Sequence, residues 1–343
     1  MTRAGSGRDG GTGTGSAPLP QPLPRQRSSE SPDGPTIGLV TAIPEEFAAM
    51  RALIEEQTEF YVPRDPASYV VGSVPSRESE RSHPVALTLL GQTATDAAAA
   101  GCAHLLRSFP SVVVVVMVGI AAGVPNPRQP ERHVRLGDIV VATQGIVDYG
   151  HVRSAANGDQ QRRQFPQPSA RLGRCADLLK ADELGGLRPW ERWLDSGRPP
   201  NLARYGRPPN DILRDRAGNQ LQHPRRDRSG HPKGGSMPKV HYGSIGSADI
   251  SVRDAAARDD LAERYGFLAL EMEGAGIGRS SFLSGSEWFV VRGVSDYGDG
   301  HRDDAWRRYA SLTAAAYVRS LLAKCQPLES TFGHGHAAAG SLR

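Results

Sequence analysis

Three acidic residues share one placement in a chain of 343 residues. Glu46 follows the apolar run "TIGLVTAI", Glu273 ends "FLALEME", and Asp296 ends "WFVVRGVSD". An ionised carboxylate is costly to desolvate unless something pairs with it. Acids at the ends of apolar runs therefore have two uses. They can cap the turns and helices that follow, where the helix dipole favours them, or they can meet in one pocket and do acid–base work. Glu271 stands two residues before Glu273, with Met272 between them.

The elements that must carry these residues alternate. Thr36–Ile43 reads as a short apolar strand, and Pro44 suits the first turn of the helix "PEEFAAMRALIEE". "VALTLLG" is a second strand, ending at Gly91, and "TATDAAAAGCAHLLRSF" has a Thr/Asp start and an Ala/Leu-rich helical body. Val112–Val124, "VVVVVMVGIAAGV", is a buried strand that runs into Gly119 and Ile120, and "GDIVVATQGIVDYG" adds another. After a long interruption come "KVHYGSIGSADI", the helix "DAAARDDLAERYG", the strand "FLALEME", the helix "GAGIGRSSFLSG", the strand "WFVVRGVSD" and a final helix from Asp304. Near-continuous apolar strands alternating with helices predict a single α/β domain with a mostly parallel central sheet flanked by helices on both faces. Ligands of such sheets gather at the carboxyl ends of the strands. The glycine-containing loops "LGQTATD" and "VGIAAGV" fall at that same edge, where backbone can approach a ligand closely.

Residues 1–35 are polar and broken by Gly and Pro, the composition of a disordered tail without a secretory signal, and the domain is expected over 36–325 with a flexible tail over 326–343. From about 153 to 238 the pattern dissolves into an irregular basic insert, apart from a helix at "ARLGRCADLLKADEL". Between Arg198 and Lys233 nine Lys/Arg stand against three Asp, whereas the whole chain carries only +4, so the excess is local. Cys102, Cys175 and Cys325 are an odd number without CxxC or metal-ligand spacing, so neither a disulfide framework nor zinc is expected, and a reducing cytoplasm fits. The longest apolar run is too short for a bilayer.

In order, "IGLVTAIPEEF", "VMVGIAAGV", "LGDIVVA", "HYGSIGSADI", "LALEMEGAGIG" and "VRGVSDYGDG" resemble the nucleoside phosphorylase and nucleosidase superfamily from Thr36 to about Lys324. The likeness is strongest to the methylthioadenosine/adenosylhomocysteine nucleosidase branch. The resemblance implies cleavage of a purine N-ribosyl bond through an oxocarbenium-like sugar, with no metal or organic cofactor. On that pattern Glu273 takes the ribose 2′- and 3′-hydroxyls and favours the sugar cation. Asp296 protonates the leaving base at N7, and Glu46 orients or deprotonates the attacking water. Met272 lies against the sugar, Glu271 supports, and Gly91, Gly119, Ile120, Ser251 and Val252 complete the substrate site.

Phosphorylases of the superfamily carry an Arg-bearing phosphate loop after the first strand. "TAIPEEF" instead puts acids there, which favours water as nucleophile. Pro44 stands where the nucleosidase motif has an acid, and Ser251 and Val252 stand where its nearer members have an aromatic against the base. The basic insert is similar to that of defence-associated nucleotide nucleosidases. It has two readings: a solvated surface loop, or a source of arginines (Arg204, Arg207, Arg214, Arg225, Arg226, Arg228) that pair with phosphates of a nucleotide. No aromatic platform is interleaved with it, which argues against nucleic acid. A phosphorylase of the same fold and a non-catalytic nucleoside-binding module remain alternatives. The resemblance also implies a homodimer.

Overall fold

The computed structural model describes residues 34–153, 160–161, 165–226, 237–301 and 303–330. The tails expected over 1–35 and 326–343 therefore fall largely outside the described residues, as does Arg228. Of the second tail, residues 326–330 are described. Leu328 is buried in the core, and Glu329 pairs with Arg81 at 3.1 Å.

In chain order the first half comprises β1 (Ile37–Thr41), α1 (Pro44–Arg51), β2 (Glu55–Tyr61), β3 (Ser68–Val74), β4 (His83–Leu89), α2 (Thr95–Ser108), β5 (Val114–Gly123), β6 (Ile139–Val141) and β7 (Ile146–Asp148). The insert holds β8 (Val152–Arg153), β9 (Gln160–Gln161), α3 (Ala170–Leu184), three short 3-10 turns between Pro189 and Tyr205, β10 (Leu213–Arg214) and β11 (Gln220–Leu221). The chain closes with β12 (Val240–Tyr242), β13 (Ile245–Ser247), α4 (Ala255–Tyr265), β14 (Ala269–Glu271), α5 (Gly274–Leu283), β15 (Glu287–Asp296) and α6 (Arg307–Leu322).

β1 lies between β4 and β5 and runs parallel to both, and β15 runs parallel to β5 on its other side. The margins are antiparallel: β3 on β4, β2 on β3, and β6 on β15. The far end of β5 bends away to pair antiparallel with β14, which continues in parallel into β13 and β7. The sheet is thus parallel at its centre and mixed at its edges.

Alternation along the central strands sorts side chains to two faces. Ile37, Leu39, Val114, Val116, Phe289 and Val291 face a core shared with α1, α3 and α6. Val40, Val115, Met117, Trp288 and Val290 face one shared with α2 and α5. The insert belongs partly to the first core: Trp190, Leu194, Leu202 and Tyr205 are buried in it beside α6. A wholly solvated loop is therefore not what the described part of this segment forms.

The cysteine expectation is corrected. Cys175 of α3 and Cys325, just past α6, form a disulfide across 150 residues with Cα atoms 5.7 Å apart, while Cys102 is free and buried. Spacing in sequence carried no sign of it, because the pairing arises only when α3 packs on α6. No helix of the described residues is long and apolar enough to cross a membrane.

Candidate active site

The first carboxylate comes from the turn between β1 and α1. Pro44 opens the helix without an N–H to leave unpaired, and Glu46, in that first turn, folds back over it. Its Oε2 accepts from the amides of Ala42 (2.7 Å) and Ile43 (3.2 Å), and its Oε1 accepts from the amide of Ile120 on β5 (2.9 Å). Gly119 makes this approach feasible. A Cβ there would stand 2.2 Å from Arg292 Nη1 and 2.5 Å from Glu46 Oε1, so any larger residue displaces both.

The second comes from the turn between β14 and α5. Glu271 accepts from the amides of Glu273 (3.0 Å) and Gly274 (2.8 Å), satisfying donors at the start of α5. It is a capping acid. Glu273 sits at the same turn with its carboxylate free of that duty and 3.2 Å from Arg292 Nη2. Thr95 at the start of α2 donates to the Met272 carbonyl at 3.0 Å and so ties the turn to its neighbour.

The third comes from β15, where the register against β5 shifts between Val294 and Asp296. Such a bulge re-aims side chains at a strand end. Ser295 Oγ donates to Asp296 Oδ2 (2.8 Å) and the Gly298 amide to Oδ1 (2.9 Å).

Beneath these lies Arg292, which sequence reasoning did not single out. It is 0% exposed, inside the apolar run of β15. Nη2 pairs with Glu271 and Glu273, and Nη1 lies 4.0 Å from Glu46. A signal was available: an arginine inside an otherwise apolar strand must find buried anions. One guanidinium faces three carboxyl groups, more than it can neutralise if all of them ionise. Burial raises the Glu46 carboxyl above its usual range, against Arg292 and the three amides, which pull it down. Burial likewise raises Glu273, opposed by Arg292 and reinforced by the charges of Glu271 and Glu46.

All three carboxylates line one cavity of about 390 Å³, together with Glu271, Met272 and Ile120. Ser251 and Val252 close it from the segment before α4. That volume falls within the usual range of about 300–1,000 Å³ for small-ligand sites. Gly119 stands behind Glu46 rather than in the wall. Gly91 is a correction: it lies in a separate hollow of about 800 Å³ between α1, α2 and β3, because β4 ends at Leu89 and the chain turns there before Thr93 reaches the cavity.

The insert arginines are a second correction. None of the five described ones lines the cavity. Arg226 is locked onto buried Asp138, Arg207 stacks over the Trp306 ring at 5.0 Å, and Arg214 donates to the Gly218 carbonyl at 3.0 Å. Arg204 and Arg225 are exposed. The cations that do line the cavity are Arg253 and Arg307, which the sequence did not flag.

A family model described as the phosphorylase superfamily matches residues 36–323, and the chain belongs to that superfamily. A nucleotide-binding leucine-rich repeat (NLR)-like protein of Hyaloscypha variabilis is 27% identical over 321 residues, covering 88% of this chain but only 30% of that protein. The chain therefore spans less than a third of that relative. A 5′-methylthioadenosine/S-adenosylhomocysteine nucleosidase of Mycobacterium tuberculosis is 24% identical over 292 residues, 84% of this chain and 95% of the relative. The ATP nucleosidase Cap17 of Escherichia coli is 34% identical over 88 residues, 24% of this chain and 17% of that protein. Among solved structures, the 5′-methylthioadenosine/S-adenosylhomocysteine nucleosidase of Neisseria meningitidis in complex with methylthio-immucillin-A superposes with a TM-score of 0.57 at 17% identity, covering 83% of this chain and 97% of that one. That likeness is one of fold.

Proposed function

From its membership of the phosphorylase superfamily, we propose that the chain is an N-glycosidase that hydrolyses the bond between ribose and a purine, adenine in particular. The observation that supports this most is the meeting of Glu46, Glu273 and Asp296, from three separate strand ends, around one cavity, with Glu46, Glu271 and Glu273 sharing a single buried guanidinium beneath it. Breaking an N-ribosyl bond develops positive charge on the sugar, and a preorganised anionic cavity favours that state over the neutral substrate. Glu273 accepts the ribose 2′- and 3′-hydroxyls. Met272 packs against the sugar as a soft wall. Asp296 delivers a proton to N7 as the C1′–N9 bond opens, and water held by Glu46 adds to C1′ while passing its proton to that carboxylate.

Water rather than phosphate is the nucleophile in this reading. Glu46 already engages the amides of Ala42, Ile43 and Ile120, so those donors are not open to a phosphate, and a carboxylate in that place disfavours a second anion. The nucleosidase relatives point the same way. The test is product analysis in phosphate-free buffer. Free adenine and a reducing sugar are expected from the wild-type protein. Turnover that needs phosphate and yields a sugar phosphate would replace hydrolysis with phosphorolysis, and tight binding with no product would leave a binding module.

A further inference from the structure

None of the described insert arginines lines the cavity, and the described cations that do line it come from elsewhere. Arg253, in the segment before α4, is exposed and has no side-chain partner among the described residues. Arg307 is the first residue of the 16-residue α6, so the positive end of that helix also lies at the cavity. Its Nε pairs at 2.9 Å with Asp304, a carboxylate 67% exposed, which is a weak competitor for a guanidinium.

The floor and the mouth differ in charge. Glu46 and Glu273 are 2% and 5% exposed, whereas Ser251 and Arg253 are open to solvent and Arg307 is half-buried. A nucleoside has three points of attachment around its ribose ring. If Asp296 takes the base and Glu273 takes the 2′- and 3′-hydroxyls, only the 5′ carbon is left to face the mouth. Arg253 and Arg307 both line this cavity, and a guanidinium suits a phosphate, whose oxygens match the arginine fork. The cavity is nucleoside-sized, so a phosphate chain would extend past these side chains toward solvent.

We infer that Arg253 and Arg307 form a phosphate subsite at the cavity mouth and make a purine 5′-nucleotide the preferred substrate. This rests on the nucleosidase reading above. The experiment compares kcat/KM for adenosine, methylthioadenosine, AMP and ATP in the wild-type protein and in Arg253→Ala, Arg307→Ala and Arg307→Lys. Wild type is expected to favour a nucleotide over adenosine by at least tenfold. Each alanine variant should lose most of that preference through KM, and the lysine variant should recover part of it. Exposed Arg204→Ala should leave the preference unchanged. Equal use of nucleosides and nucleotides by wild type, or alanine variants that weaken both alike, would overturn the subsite. If no base is released from anything, the nucleosidase reading fails instead, and the ratio of AMP to adenosine affinity by calorimetry still decides the subsite.

Discussion

Two buried charge clusters sit on the same sheet and are built to opposite stoichiometries. Around Asp138, before β6, one carboxylate meets Arg226 from the insert, His241 of β12 at 2.9 Å, and the amides of Arg135 and Lys239 at 2.9 Å each. Burial alone would raise its pKa, but Arg226 and the His241 hydrogen bond outweigh that and hold it well below the usual range. Around Arg292 the ratio is inverted, with three carboxylates to one cation, and two of them titrate above their usual range. The first cluster is satisfied within the fold and works as a clasp for the insert. The second holds part of its carboxyl charge in check with bound protons, because burial raises Glu46 and Glu273. The ratio of acids to bases, more than burial itself, separates the two clusters.

The largest effects are expected around Arg292. Glu273→Gln and Asp296→Asn should each lower turnover by at least about two orders of magnitude, in line with acid–base contributions of about 10²–10⁴, while the melting temperature holds or rises. A fall in both stability and activity would make Glu273 a structural residue. At the clasp the pattern reverses. Asp138→Asn leaves Arg226 buried without its anion and should cost about 3–5 kcal/mol in denaturant unfolding, with the folded fraction still active.

The two clusters also separate by pH. Asp138 has a folded pKa below its unfolded value, so its contribution is present above the ordinary Asp range and is lost as pH falls through it. Glu46 and Glu273 have folded values above their unfolded ones, so the folded state keeps protons that the unfolded chain releases. Their contribution declines as pH rises out of the ordinary Glu range toward the raised pKa. Melting profiles of Glu273→Gln should therefore be flatter than wild type on the alkaline side, and kcat/KM of wild type should climb over the same interval as Glu273 ionises. The smallest effect is expected from Arg225→Ala, whose exposed side chain belongs to neither cluster: unfolding and turnover should both stay near wild type.

Much of this was legible in the sequence for a physical reason. The central strands are buried on both faces and read as unbroken apolar runs, and the carboxylates that end them are visible as breaks in those runs. The edge strand β2, "EEQTEFY", is exposed along its whole length and has no apolar face to betray it in the sequence. Arginines are densest in the insert, and that density is what points to it for phosphate binding. Density along the chain does not say which way a side chain faces, and Arg207 and Arg226 turn out to brace α6 and Asp138 instead.

Above all, the proposed chemistry requires the cavity to favour a positively charged ribose. Its most direct test is the affinity of an adenine-linked cationic pyrrolidine against its neutral tetrahydrofuran counterpart, measured by titration calorimetry near neutral pH. The cationic ligand should bind at least about a hundredfold tighter, as transition-state mimics do, and that advantage should collapse in Glu273→Gln. Equal affinities in the wild-type protein would contradict the account.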